Sequence, residues 1–174
     1  MVVVRGAAPR EGSQRPLSTA RHGTSSMQRD AIEVDPDRPD GALRLVRGAL
    51  PEPGQGEVLV RVIAAGVSFA DVLAARGQPV AQTGRRWEGA PGIEGAGVVQ
   101  SLGSELEGLE VGMPVGWLGV SGSYASHLCI PVEAAVPLPT GVSCEVAAAA
   151  MLHGLYARCL VDELVDLTVG GTAL

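Results

Sequence analysis

The chain has 174 residues, a hydrophobic content of 46% and a formal net charge of −6, enough for one domain with a sizeable core and too acidic to favour a nucleic-acid partner. All 13 basic residues are arginine, which excludes Schiff-base and lysine-base chemistry within these residues. Cys129, Cys144 and Cys159 stand far apart with no C-x-x-C, a pattern that disfavours a structural zinc or a disulfide framework and suits a reducing cytoplasm.

Residues 1–26 carry Arg5, Arg10, Arg15 and Arg21 against Glu11 alone and show no periodicity. They read as a disordered tail, or as the product of a start placed upstream of the true one at Met27. The Arg/Ser-rich composition also fits an organelle transit peptide, less well than a tail, and Val2-Val3-Val4 is too short for a secretory signal. No apolar run reaches transmembrane length.

Ala31–Val34 and Leu43–Val46 read as two strands of a hairpin around the turn formers of residues 35–41. Val58–Ile63 is the clearest strand, with Val58, Val60 and Val62 on one face and Leu59, Arg61 and Ile63 on the other. Gly66 is expected to break it. Ser68–Ala75 reads as a short helix with Ser68 as N-cap, Asp71 three residues on and Gly77 past its end. A loop holding Arg85, Arg86 and Trp87 follows, and then Pro91-Gly92-Ile93-Glu94-Gly95-Ala96-Gly97-Val98-Val99. That density of glycine around one carboxylate predicts a tight corner feeding a strand over Ala96–Leu102, with Gly92, Glu94, Gly95 and Gly97 as its structural residues. The spacing G-x-x-G-x-G is the reverse of a dinucleotide fingerprint. Val115–Leu118 and Tyr124–Ile130 are further strands, so short strands with Gly/Pro turns predict a partly open barrel or a sandwich. Cys144–Val165 turns helical behind a Ser143 N-cap, with Gly154 as a point where the helix splits.

The segments Pro51–Val62, Ala65-Gly66-Val67-Ser68-Phe69-Ala70-Asp71, the glycine corner, Gly122-Ser123-Tyr124-Ala125 and Pro137-Leu138-Pro139-Thr140-Gly141 occur in an order that resembles the catalytic domain of medium-chain dehydrogenases/reductases. The resemblance runs from about Met27 to the end of the sequence and is strongest to the zinc-independent NADPH:quinone oxidoreductase branch. It implies a mainly β, GroES-like, partly open barrel over residues 27–142. It also implies, over residues 143–174, a helical bridge and the truncated start of a Rossmann nucleotide-binding domain at Gly171-Thr172-Ala173-Leu174. NADPH is the implied cofactor, which residues 1–174 could not bind alone, and the implied substrate is quinone-like.

In the zinc-dependent relatives a Cys and a His hold the metal where this sequence has Ser68 and Ile93, so no zinc is expected. The resemblance puts Ser68 and Tyr156 at the nicotinamide end, Tyr156 standing where the family usually has Thr. It puts Phe69, Asp71 and Trp87 around the substrate. Asp71 also fits a capping box that needs no active site, and Glu94 fits a structural tie. No general acid is assigned, and His22, His127 and His153 have no carboxylate or Cys nearby in sequence. Two functions follow as expectations. One is half of a metal-free oxidoreductase, inactive alone and completed by a separate Rossmann chain. The other is a non-enzymatic barrel binding a partner through the face a nucleotide domain would cover.

Overall fold

A computed structural model describes residues 2–5, 28–35, 37, 43–76, 78, 90–104 and 106–164. Its elements in chain order are β1 (Val2–Arg5), β2 (Gln28–Val34), β3 (Leu43–Ala49), β4 (Glu57–Val67), α1 (Phe69–Ala75), β5 (Glu94–Leu102), β6 (Pro114–Leu118), β7 (His127–Pro131), β8 (Val136–Pro137) and α2 (Cys144–Cys159). The fold is mainly β, as expected for a GroES-like domain.

The β-branched run of β4 is the spine of the larger sheet. One edge of β4 pairs with β5, which continues through β6 to β8. The other edge is shared: β7 takes residues 57–61 and β1 takes residues 64–67, all antiparallel. The smaller sheet is the β2–β3 hairpin. It joins the larger one through the bridge Ala31–Ala125 and the bonds Ile32 N–H to Tyr124 C=O (2.8 Å) and Ser126 N–H to Asp30 C=O (2.7 Å).

Val58, Val60 and Val62, which share one face of β4, are buried with Val99, Val115, Trp117, Leu128 and Ile130. Burial of each such side chain stabilises the fold by roughly 1.5–3 kcal/mol. Leu59, on the opposite face, is buried too. Register shifts between Leu59 and Val60 and between Val62 and Ala64 interrupt the simple alternation along β4.

Four expectations are corrected. Gly66 does not end the strand; β4 runs through it to Val67, because the space a Cβ would need there belongs to the Glu94 carboxylate, 2.4 Å away. The strand after the corner begins at Glu94 itself, which pairs opposite Leu118. Gly154 does not split α2, whose helix is continuous over Cys144–Cys159 and passes into a π-helical turn over Leu160–Leu164. The unstructured reading of residues 1–26 does not extend to Val2–Arg5, since three β-branched residues find an otherwise open stretch of the β4 edge.

Ser143 caps α2 as predicted, its hydroxyl accepting from Val146 N–H at 3.3 Å. The helix docks through alanines: Ala147 and Ala148 pack against Ala64 of β4 and Ala96 of β5, with Leu138, Val142 and Cys144 around them. Small residues on both sides let the helix lie close to the sheet. From His153 to Glu163 every residue is exposed. Within the 20 residues of Cys144–Glu163 an 18-residue stretch has a mean hydropathy of 1.3, so this helix is long and apolar enough to cross a membrane by length and composition alone. The sequence shows no unbroken apolar run because Glu145, His153, Arg158 and Asp162 interrupt it.

Candidate functional site

The site is built where α1 begins against the glycine corner. Asp71, in the first turn of α1, reaches back to its cap: its Oδ2 accepts from Ser68 N–H at 2.8 Å and from Ser68 Oγ at 3.1 Å. Its Oδ1 accepts from Gly92 N–H at 3.1 Å. The first is the backward bond of a capping box, but the reciprocal one is replaced: the Ser68 hydroxyl donates to the carboxylate, and Asp71 N–H goes to Ser68 C=O at 3.2 Å. The third joins the helix start to the corner 21 residues away in sequence. Ser68 and Asp71 are both buried, and three donors converge on one carboxylate.

The corner needs its glycines for contact. Gly92 has φ of 88°, and a Cβ on it would sit 2.6 Å from the Tyr124 ring. A Cβ on Gly95 would meet the Trp117 ring at 2.6 Å, and one on Gly97 would meet Arg61 C=O at 2.2 Å. The loop after β6 locks onto the corner through Gly119 N–H to Ile93 C=O (2.7 Å), Ser123 N–H to Gly92 C=O (3.1 Å) and Ser121 Oγ to Ala90 C=O (2.6 Å).

Glu94 is 0% exposed. Its Oε2 accepts from Leu152 N–H of α2 at 2.8 Å, while its Oε1 has no hydrogen-bond partner among the described residues. Burial pushes its pKa above the ordinary 4.5, Leu152 N–H and His153 pull the other way, and the Asp71 charge adds to the rise. The Leu152 bond joins the corner to the point of α2 where burial gives way to exposure.

Beside this junction lies a cleft of about 270 Å³ lined by Leu43, Val67, Asp71, Val72, Ala75, Arg76, Pro91 and Tyr124. The Tyr124 hydroxyl is buried beside the Asp71 carboxylate. Burial, followed by the Asp71 charge, a hydrogen bond to Asp71 and the Glu94 charge, raises the phenol's pKa, so it stays protonated. The sequence places Tyr124 in Gly122-Ser123-Tyr124-Ala125 and at the start of a strand, without assigning it to a site. The available signal was the scarcity of aromatics, 3% of the chain, which makes each one weighty in a core or pocket.

The other predicted site residues are dispersed. Phe69 is 71% exposed and does not line the cleft, and Tyr156 is 55% exposed on the outer half of α2. Arg85, Arg86 and Trp87 lie outside the described residues, as do His22 and residues 165–174.

Among the described residues no three His, Cys, Asp or Glu side chains stand together as a metal site would require. His127 lies with its Nδ1 3.0 Å from Ser126 Oγ, and burial together with Arg61 and Arg29 lowers its pKa. Burial raises the thiol pKa of Cys129 and Cys144. Toward a nicotinamide cofactor, the Ser68 hydroxyl is already committed to Asp71, whereas the Tyr156 phenol is exposed. The described residues contain no glycine-rich cradle of the G-x-G-x-x-G kind for a pyrophosphate.

A family profile described as "Alcohol dehydrogenase GroES-like domain" matches residues 54–140. The human synaptic vesicle membrane protein VAT-1 homolog-like is 33% identical over 132 residues, which cover 76% of this chain and 31% of that protein. A quinone oxidoreductase of Pseudomonas aeruginosa is 38% identical over 127 residues, covering 71% of this chain and 37% of that protein. Among solved structures, Escherichia coli quinone oxidoreductase complexed with NADPH superposes with a TM-score of 0.68 at 26% identity, covering 79% of this chain and 41% of that one. The chain therefore spans about a third of the length of the curated relatives it matches.

Proposed function

Because this chain belongs to the alcohol dehydrogenase GroES-like domain family, in the quinone oxidoreductase branch of the medium-chain dehydrogenase/reductase superfamily, we propose that it forms the substrate-side half of an NADPH-dependent, metal-free reductase of quinones or other activated double bonds. Its working counterpart is a nucleotide-binding unit, on the same polypeptide or on another. NADPH, when bound, supplies the hydride. The chain's own contribution is to position the substrate and exclude water.

The observation that carries this reading is the commitment of Asp71 and Ser68 to each other and to Gly92. Where zinc-dependent relatives place metal ligands, this chain has a hydroxyl that donates to a carboxylate and, at Ile93, no ligand atom at all. These residues support reading the junction as a structural wall without a metal. The family resemblance assigns Tyr156, exposed on α2, to the nicotinamide ring, and the free thiols of Cys129, Cys144 and Cys159 fit a reducing cytoplasm.

The test is NADPH consumption with duroquinone by the full gene product, with and without a zinc chelator. Turnover that the chelator leaves unchanged is expected. Loss of turnover on chelation, or an alcohol oxidised in preference to any quinone reduced, would refute it.

A second reading, a non-enzymatic docking module, rests on the outer half of α2. There Leu155, Tyr156, Leu160 and Val161 are all exposed. A partner captured by this helix with no NADPH-dependent turnover in the full gene product would favour it.

A further inference from the structure

The β4–β7 pair gathers cations that no described carboxylate answers. Arg61 and His127 stand directly opposite each other in the antiparallel register, so their side chains leave the same face of the sheet. On the other side of β7 runs β2, tied to it by Ser126 N–H on Asp30 C=O. From β2, Arg29 donates through Nε to His127 C=O at 2.8 Å. His127 thus lies between two arginines, one from each neighbouring strand. Arg61 is exposed, and His127 and Arg29 are half-buried. Among the described residues neither Arg29 nor Arg61 forms an ion pair, since Glu33 pairs with Arg44, Asp30 with Arg47 and Asp162 with Arg158. Glu57, further along β4, has its carboxylate on Gly54 N–H at 3.0 Å.

The hydrogen bonds also set the proton on the ring. Asp30 N–H donates to Ser126 Oγ at 3.0 Å, and the same Oγ lies 3.0 Å from His127 Nδ1. With its oxygen accepting from Asp30, the hydroxyl gives its one proton to Nδ1, and the neutral ring carries its own on Nε2. The strand pair therefore presents an imidazole N–H and two guanidiniums, all donors, on a chain of net charge −6. Like charges set opposite one another on a ladder destabilise it, and an anion held between them removes that cost.

We infer that Arg61, His127 and Arg29 form a binding site for a phosphate group, free or carried on a small molecule. Charge selects the class: two permanent cations match the dianion that a phosphate monoester becomes near neutral pH. The arrangement selects it too. Donors from two strands with an imidazole between them suit a tetrahedral group with several acceptor oxygens better than a flat carboxylate. Arg29 commits only its Nε to the backbone, which leaves its terminal N–H groups to donate. Burial, Arg61 and Arg29 lower the His127 pKa, and a dianion opposes the effect of both arginines. The site does not depend on the reductase reading.

The test follows the His127 ring protons of the 174-residue chain by nuclear magnetic resonance, in phenyl phosphate and in chloride at the same ionic strength. The His127 titration should move to higher pH in phenyl phosphate, while His153, exposed on α2, shows no response. Arg61→Gln should weaken phenyl phosphate binding about tenfold or more, as the loss of a charge-assisted contact requires. Because Arg61 is exposed, this variant should melt no lower than the wild type in chloride, and only the wild type should gain in phosphate. His127→Val keeps a strand-forming side chain, identifies the resonance and should weaken binding about three- to tenfold. Inorganic phosphate that binds as tightly as phenyl phosphate assigns the site to the free ion, and tighter binding of the ester assigns it to a phosphorylated small molecule.

The inference is overturned if His127 titrates alike in the two salts, or if Arg61→Gln binds phenyl phosphate as well as the wild type. Should Arg61→Gln fail to fold, the comparison of salts on the wild type decides alone.

Discussion

Glu94 illustrates how one side chain can answer to three elements at once. It starts β5, occupies the space left by Gly66 on β4 and accepts from Leu152 N–H on α2. Burial raises its pKa above 4.5, so the folded state holds a proton that the unfolded state gives up more readily. The sign follows from linkage. This contribution to stability is fully present below the unfolded value and is lost as pH rises through the folded one. Glu94→Gln keeps the group neutral throughout. Urea titrations across pH 4.5 and above should therefore show the wild type losing stability relative to Glu94→Gln as pH rises. Parallel profiles for the two proteins would mean that the fold leaves the pKa of Glu94 at its unfolded value. Asp71 makes a second residue-scale case. Asp71→Ala leaves the buried donors of Ser68 and Gly92 without an acceptor and should cost about 2–3 kcal/mol in urea unfolding.

At the scale of elements, legibility followed distance along the chain. The capping box at Ser68 and Asp71 and the Ser143 cap were readable because their partners lie within three residues. The Gly92 bond to Asp71 and the Leu152 bond to Glu94 were not, because local patterns carry no information about partners 21 and 58 residues away. Gly66 was misread for the same reason: a glycine in a strand suggests a break until its non-local neighbour is known. Tyr124 was quoted in a motif, but no local pattern shows that its ring fills the space above Gly92. The alanine contact between α2 and the sheet gives a prediction at this scale. Ala148→Leu forces a larger side chain against Ala64 and Ala96 and should cost about 1–3 kcal/mol. Hydrogen exchange should show faster exchange across Ala147–Leu152 in that variant. Protection equal to the wild type would mean that the helix does not depend on this contact.

For the whole molecule, β4 decides cooperativity. It touches β1, β5 and β7, and α2 packs on it as well. Damage to the core beside β4 should therefore be felt everywhere at once. Ile130 lies opposite Val58 and is fully buried, so Ile130→Ala should lower stability by about 2–5 kcal/mol. The loss should be the same by circular dichroism and by exchange at β6, as a two-state domain requires. Different losses by the two probes would show that the sheet unfolds in parts.

Trp117 lies beneath the corner, fully buried, with its ring against Gly95 and its indole N–H donated to Ser123 Oγ at 2.8 Å. An indole in so dry and fixed a place is a built-in lamp. With Trp87→Phe removing the second emitter, its fluorescence should be blue-shifted in the native protein, and a shift to the red would announce the corner opening before the rest of the barrel does.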